Sequence, residues 1–384
     1  MTGKIPKHWK IKKLGEIANI SSGTTPFRKN PLFYDNADIP WVKTTDLNNS
    51  YITTTEEKIN TYALNNTSLR LYPTNTVLVA MYGGFNQIGR TGKLAMEATI
   101  NQALSALVLK NDDVNSDYLL FWLNANVEKW KRFAGSSRKD PNINGKDVAE
   151  FSILIPPLKE QEKITEILLT YDKAIRLTTQ IITQLKQRNQ GLAQQLLTGE
   201  KRVKGFEKSV WKEVKLGELL VYEQPTNYLV KNTDYSDEYK IPVLTAGKTF
   251  ILGYTNEKEG ICTNIPLILF DDFTTDSRYI DFPFKVKSSA VKLLKAKKNV
   301  NLRFIFEAMK LIKYAIGGHE RHWISKYAFL TIFVPSFKEQ NAIAQILDTA
   351  HQELKLYEQK LQLLQAQKKT LMQKLLTGEV LTIK

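Results

Sequence analysis

Pro156-Pro-Leu-Lys-Glu-Gln161 returns as Pro335-Ser-Phe-Lys-Glu-Gln340, and Leu196-Leu-Thr-Gly-Glu200 returns as Leu375-Leu-Thr-Gly-Glu379. Both displacements are 179 residues, so the 45 residues from one motif to the next have neither gained nor lost a position between copies. A continuous helix imposes that constraint, because one inserted residue turns everything beyond it by about 100° and moves its apolar face away. Between the motifs, Ile164, Leu168, Tyr171, Ile175, Thr178, Ile182, Leu185, Asn189, Leu192 and Leu196 alternate in steps of four and three, the spacing of a heptad seam. Displaced by 179, the seam reads Ile343, Leu347, Ala350, Leu354, Tyr357, Leu361, Leu364, Lys368, Leu371 and Leu375. Asn189 and Lys368 share one slot, and a polar residue there either fixes register at some cost in stability or marks an exposed position. Pro156 and Pro157 stop the preceding strand and open the helix, while Gly199 and Gly378 close it.

A second repeat starts each half. Trp9-Lys-Ile-Lys-Lys-Leu-Gly-Glu16 matches Trp211-Lys-Glu-Val-Lys-Leu-Gly-Glu218 at an offset of 202, so the second globular part is 23 residues shorter than the first. The chain therefore reads as globular domain, long helix, globular domain, long helix. A helix from Lys159 to Leu197 is roughly 58 Å long, whereas a domain of this size has a radius of gyration of roughly 14 Å. One such domain joins two helices only if they run antiparallel. The expected fold is α+β: two globular domains separated by two long antiparallel coiled-coil helices with an internal pseudo-two-fold. The expected boundaries are 1–158 and 211–337 for the globular domains, 159–197 and 338–376 for the helices, 198–210 for a linker and 377–384 for a tail.

Short β-branched runs supply strands at Thr76–Met81, Leu104–Leu109, Phe151–Ile155, Ile265–Phe270 and Phe329–Val334, and helices are expected at Asp117–Phe133 and Leu302–Tyr314. Loops richest in glycine, amides, hydroxyls and basic residues are Tyr82–Arg90, Ala134–Lys139, Thr245–Thr249 and Gly317–His322. That mixture suits phosphates and base edges.

With 384 residues, 42% of them hydrophobic and 24% charged, the chain has the composition of a multidomain globular protein. One cysteine, Cys262, excludes an internal disulfide and a cysteine-rich zinc site. No stretch approaches the roughly 20 apolar residues of a membrane span, and Met1–Trp9 lacks an apolar signal core, so a cytoplasmic location is expected. The formal net charge of +15 favours a polyanionic partner. Residues 9–158 carry 17 basic and 14 acidic side chains, and residues 211–337 carry 18 and 14, so the excess is not confined to a tail and a folded surface must display it.

Catalytic motifs are missing where they would be expected. No glycine-rich phosphate loop occurs, and Ile155-Pro-Pro-Leu158 lacks the polar first and aromatic last residues of an amine-methyltransferase tetrapeptide. Asp271, Asp272 and Asp276, followed by Lys285 and Lys287, outline a nuclease-like metal cluster that the first half does not repeat. His319 and His322 have a spacing open to a metal pair, though a surface or DNA-facing role suits a loop better.

The paired PPLKEQ and LLTGE motifs, Ile39-Pro-Trp-Val-Lys-Thr-Thr-Asp46, Tyr239–Thr255, and Phe270-Asp-Asp-Phe-Thr-Thr275 through Phe282-Pro-Phe-Lys-Val-Lys-Ser-Ser-Ala290 resemble the specificity subunit of type I restriction-modification systems. The resemblance spans nearly the whole chain. It implies a non-catalytic reader of double-stranded DNA, with one target-recognition domain per half of an asymmetric bipartite site and helices that fix the unread spacer. It implies two copies of an adenine methyltransferase subunit and motor-nuclease restriction subunits as partners, with S-adenosylmethionine, ATP and Mg carried by them and no cofactor or metal held here. The DNA-binding positions it implies are Lys43, Thr44, Thr45, Asp46, Asn86, Gln87, Arg90, Arg138, Lys139, Lys248, Thr249, Arg278, His319 and Arg321. For partner binding it points to helix positions expected to be exposed, Lys159, Glu160, Gln161, Lys338, Glu339 and Gln340. The rival readings are a specificity subunit of a fused restriction-methylation enzyme, a coiled-coil scaffold without DNA affinity, and a self-contained endonuclease.

Overall fold

A computed structural model describes residues 5–133, 142–245, 249–314 and 322–382. The chain divides into two compact units, residues 1–178 with 360–384, and residues 179–359.

Unit 1 opens with β1 (Lys10–Lys13), α1 (Leu14–Ile17) and β2 (Ala18–Ser22), followed by β3 (Ile39–Val42), β4 (Tyr51–Ile52), β5 (Glu57–Ile59) and α2 (Thr61–Asn66). It continues through β6 (Val77–Ala80), β7 (Thr91–Leu94), β8 (Thr99–Ile100), β9 (Leu104–Leu109), α3 (Ser116–Ala125), α4 (Gly145–Glu150) and β10 (Ser152–Ile155) to α5 (Leu158–Leu197). Three sheets result, with strand orders β1-β10, β2-β9-β6-β7-β4 and β5-β3-β8. All four residues of β6 are buried because both faces of its sheet are covered. Val77 and Val79 enter one core with Trp9, α3, and Ile164 and Leu168 of α5, while Leu78 and Ala80 enter a second core with Val42, Ile52 and Ile100. The strand period of two thus supplies two cores from one short apolar run.

Unit 2 repeats the plan with β11 (Lys212–Lys215), α6 (Leu216–Leu219), β12 (Leu220–Glu223), β13 (Ile241–Leu244), β14 (Ile251–Thr255), β15 (Leu267–Asp271) and β16 (Ser277–Ile280). Then come β17 (Lys285–Val286), β18 (Val291–Ala296), α7 (Leu302–Met309), α8 (His322–Ser325), β19 (Thr331–Val334) and α9 (Phe337–Thr377). The sheets are β11-β19, β12-β18-β15-β16 and β14-β13-β17. Ile268 and Phe270 face one core and Leu267 and Leu269 the other. Both small sheets have a central strand, β3 or β13, with an antiparallel neighbour on one side and a parallel one on the other. The α+β class and the internal repeat are thereby established.

Some elements start or stop elsewhere than the sequence pattern suggests. β15 begins at Leu267 because Pro266 has no N–H for the ladder. The helix expected to reach Phe133 ends at Ala125, where the Asn126 side chain donates to the Trp122 carbonyl at 2.8 Å, and continues as 3₁₀ turns over Val127–Arg132. The helix expected to reach Tyr314 ends at Met309.

The long-helix segments run antiparallel within each unit. In unit 2, Lys186, Arg188 and Asn189 meet Glu358, Glu353 and Ala350 in turn. In unit 1, Asp172 meets Lys368, and Trp9, which holds Glu160 at the start of α5, lies beside Gly378 at the end of α9. The shared polar slot is an inter-helix contact in both copies: Asn189 is buried and donates to the Ala350 carbonyl at 2.9 Å, and the Lys368 ammonium lies 2.5 Å from Asp172. Each long helix ends in the same way. The N–H groups of Lys201 and Val380 donate back to the carbonyls of Gln195 and Lys374, around Gly199 and Gly378 at φ +74°.

Alanine at either glycine is therefore strained, at a cost of about 1 kcal/mol. The surroundings then separate the two: a Cβ on Gly378 would lie 2.5 Å from Pro6, whereas on Gly199 its nearest neighbour, Trp211, is 3.7 Å away. Thermal denaturation of the purified chain is expected to show Gly378→Ala lowering Tm more than Gly199→Ala.

Candidate nucleic-acid interface

A hairpin between corresponding strands of the large sheet gathers several sequence-selected residues in each unit. In unit 1 it links β6 to β7. The Gly89 N–H donates to the Ala80 carbonyl at 3.0 Å, and the Ala80 N–H donates to the Arg90 carbonyl at 2.8 Å. Gly89 has φ +77°, and a Cβ there would lie 2.1 Å from the Trp130 ring, so glycine alone lets the loop close against its support. Ile88 is buried, while Tyr82, Phe85 and Asn86 are exposed. Arg90 is half-buried and donates to the Gln87 side chain at 3.3 Å. The structure thus brings Asn86, Gln87 and Arg90 into one braced loop.

A second segment reaches the same hairpin. The Lys43 N–H donates to the Asp46 carboxylate at 2.7 Å, and the second Asp46 oxygen accepts from the Glu56 N–H at 3.0 Å. Asp46 is therefore a turn cap. Thr44 is half-buried and Thr45 is exposed. Just beyond this turn, Asn49 pairs with Thr91, the residue after Arg90, through backbone and side chain at 2.9 and 3.0 Å. The Lys43 ammonium is held by Glu57 and Glu56 at 2.6 and 2.9 Å. Arg28 also engages Glu57 and stacks over Trp41. Glu57 lies below the usual carboxylate range chiefly because of the Arg28 hydrogen bond, with Lys43 adding to it, while Glu57 first and Glu56 second push Lys43 up.

In unit 2 the equivalent hairpin links β15 to β16. Its five-residue turn is built on carboxylates: Asp271 accepts from the Phe273 N–H at 2.9 Å and the Thr274 hydroxyl at 2.5 Å. Asp272 accepts from the Trp323 N–H at 2.8 Å and lies 3.3 Å from the buried Lys292 ammonium. Asp276 accepts from the Ser277 N–H at 2.9 Å and lies 3.4 Å from Arg278. The residues outlined as a metal cluster thus shape a turn, and among the described residues no group of three metal-binding side chains gathers. Lys285 is buried against Glu257 and the Glu259 carbonyl rather than facing that turn. The guanidinium of Arg278 lies 5.3 Å over the ring of Phe250, whose neighbour Thr249 is exposed, so Arg278 and the Thr249 segment come together. His322 corrects its expectation: it is buried, with its Nδ1 3.4 Å from the Tyr314 hydroxyl.

Both hairpins are tied down at the same point. The Ile143 N–H donates to the Met81 carbonyl at 3.0 Å, and the His322 N–H donates to the Asp272 carbonyl at 3.1 Å, one residue past β6 and β15 respectively. Arg138, Lys139, Lys248, His319 and Arg321 lie outside the described residues. The hairpins also present two residues passed over in the sequence, Phe85 and Phe273, 51% and 46% exposed. Both stand inside quoted motifs, where an aromatic residue reads as core.

The expected exposed helix surface is corrected at four of its six positions. Lys159 and Lys338 are exposed, but Glu160, Gln161, Glu339 and Gln340 are buried. Glu160 accepts from the Trp9 indole at 3.1 Å, and His8 Nε2 lies 3.1 Å away. Glu339 accepts from the Trp211 indole at 3.3 Å and pairs with Arg202 at 3.0 Å. Gln161 accepts from the Asn115 N–H at 2.8 Å and donates to the carbonyls of Asp113 and Pro156, both at 2.9 Å. Gln340 repeats this with the Asn301 N–H at 2.8 Å and the Pro335 carbonyl at 3.0 Å. The repeated Glu-Gln pair therefore ties each long helix to its own domain.

Two α+β units of one plan, each displaying a hairpin with an arginine and an exposed aromatic ring, define a duplicated protein of one architecture. The chain matches the type I restriction modification DNA specificity domain over residues 6–187 and again over 208–366, and it belongs to that family of specificity subunits. It is 47% identical over 146 residues to the EcoR124I/EcoR124II specificity subunit of Escherichia coli, a match covering 35% of this chain and 36% of that one. It is 34% identical over 178 residues to the MjaIX specificity subunit of Methanocaldococcus jannaschii, covering 45% and 40% of the two chains. These matches thus span well under half of either relative. The putative MjaX specificity subunit of the same organism matches at 23% identity over 98% of this chain and 95% of its own. The crystal structure of the type I S subunit from M. genitalium superposes with a TM-score of 0.66 at 16% identity, covering 98% of this chain and 97% of that one. Among the described residues no helix is long and apolar enough to cross a membrane.

Truncating Gln161 or Gln340 to alanine strands a backbone N–H near the start of α3 or α7, and each is expected to cost about 2 kcal/mol in urea denaturation. Lys159→Ala and Lys338→Ala should stay within about 0.5 kcal/mol of the parent. The depressed Glu57 carboxyl contributes stability in full above its ordinary value of 4.5 and loses it as pH falls through the lower folded value. Glu57→Gln should therefore lower Tm at neutral pH, and the difference from the parent should shrink in scans taken toward pH ~3.

Proposed function

We propose that this chain is the non-catalytic sequence reader of a type I restriction-modification complex, with each unit reading one half of an asymmetric bipartite DNA target. The observation that carries the reading is the duplicated hairpin on two units of one plan but different loop sequence: Asn86, Gln87 and Arg90 in one, and Arg278 in the other, joined there by the neighbouring Thr249 segment. Arginine recognises guanine edges or phosphates and the amides suit adenine, so unlike loops imply unlike half-sites. Lys43, Thr44, Thr45 and Asp46 support the first loop, with Thr45 outermost and Asp46 shaping the turn. The long helices set the unread spacer. Two adenine methyltransferase subunits dock along the helices and domain flanks, where Lys159 and Lys338 are exposed, and the motor-nuclease subunits join that assembly. S-adenosylmethionine, ATP and Mg belong to those partners.

Single-molecule sequencing of the host's methylome, with and without the gene, tests the role. Adenine methylation is expected to disappear from one gapped, asymmetric motif when the gene is removed; an unchanged methylome in a host with an active system would refute the reading. Arg90→Ala and Arg278→Ala, each in the reconstituted complex, separate the two uses of arginine. Loss of a phosphate contact weakens binding to all sequences and lowers the salt slope by about 1, whereas loss of a guanine contact relaxes one base position.

A further inference from the structure

Phe85 and Phe273 occupy matching places in different loops. Each lies in the turn between corresponding strands of its large sheet, β6–β7 or β15–β16, and each exposes about half of its surface, 51% and 46%. The loops share neither length nor sequence around the ring. Single exposed apolar residues are common on protein surfaces. Here, however, two differently built turns each present a phenylalanine on the corresponding hairpin, and each hairpin also carries an arginine, Arg90 or Arg278.

The turns also hold the rings outward. In unit 1, Gly83 and Gly84 with φ +108° and +72° precede Phe85, and Ile88 is buried behind it. In unit 2, both carboxylate oxygens of Asp271 are engaged by residues 273 and 274, which fixes the backbone at Phe273 itself. An exposed apolar ring on a braced turn, with an arginine on the same hairpin, matches a groove that offers a base methyl group and a phosphate backbone.

Resting on the proposed role as a DNA reader, we propose that Phe85 and Phe273 are specificity-determining residues, each packing its ring on the 5-methyl group of a thymine in its own half-site. An adenine-methylated half-site necessarily contains an A·T pair, so each half offers such a methyl. Aliphatic and aromatic side chains are the groups that discriminate thymine in the major groove. The arginine on the same hairpin supplies the anionic contact, and the ring supplies the apolar one.

The experiment uses the complex reconstituted with its methyltransferase subunits and duplexes carrying the methylome-defined target, each thymine replaced in turn by deoxyuridine. For the parent complex, one replacement in each half should weaken binding about fourfold, as expected for one buried methyl group. Phe85→Ala should become indifferent to the replacement in one half and stay sensitive in the other, with Phe273→Ala showing the converse. The salt slope should be unchanged in both. Phe85→Leu and Phe273→Leu, which keep an apolar side chain, should retain part of the sensitivity.

Losses from variant and deoxyuridine that simply add would overturn the assignment. So would alanine variants that bind DNA like the parent, or that fail only in assembling with the methyltransferase subunits. A parent complex with no sequence preference would instead remove the reader role, and the inference with it. A discriminating parent with unaffected variants removes the inference alone.

Discussion

The structure depends on a carboxylate buried where a long helix leaves its domain. Glu160 and Glu339 each sit in the first turn of a long helix and accept a hydrogen bond from an indole, Trp9 or Trp211, that immediately precedes the first strand of the domain. The same indoles lie beside Gly378 and Gly199, where the opposite long helix ends. One buried acceptor therefore joins the start of one helix, the first strand of a domain and the end of the other helix. An unpaired buried carboxylate is costly, so the contact is strongly position-dependent: a helix shifted by a residue would lose it. The further partner differs between copies, His8 beside Glu160 and Arg202 beside Glu339, yet the indole and the acid are the same.

Beside each acid stands a glutamine with a different task. Gln161 and Gln340 engage the backbone at Asn115 and Asn301, whose own side chains cap α3 and α7. A helix cap and a helix start are thus held by one amide, which orients α3 or α7 against the large sheet. The two faces of that sheet are then supplied by alternation along β6 and β15, and the hairpin beyond each strand is carried on a base buried on both sides.

The repeat and its helical character were legible because a helix cannot absorb insertions, so a constant offset of 179 survives where the loops between them differ. The strands were legible from short apolar runs, with errors of a residue or two, as where Pro266 lacks an N–H for the ladder, whereas the helix expected to reach Phe133 stops eight residues earlier, where the Asn126 side chain takes the Trp122 carbonyl. The Glu-Gln pair misled for a physical reason. A charged and an amide residue at the start of an amphipathic helix read as solvated, and what buries them comes from Trp9, 151 positions before Glu160, and Asn115, 46 before Gln161. Asp271, Asp272 and Asp276 resemble a metal site in composition alone, because a turn that caps itself with carboxylates gathers the same residues. Phe85 and Phe273 were hidden by the rule that aromatics fill cores, and only the pairing of strands reveals that both belong to one turn of the repeat.

That turn shows how a fixed frame tolerates a variable surface. Each hairpin is tied at its base by a main-chain hydrogen bond, from Ile143 to Met81 in one unit and from His322 to Asp272 in the other. That bond uses only N–H and C=O groups, so it does not itself dictate which side chains stand at its ends. The network beneath is specified by side chains and recurs as tryptophan, glutamate and glutamine in both copies. Sequence change is thereby expensive at the helix junction and cheap at the hairpin tip. One architecture is thus kept while its exposed turns differ, and the division follows from which contacts are made by backbone and which by side chains.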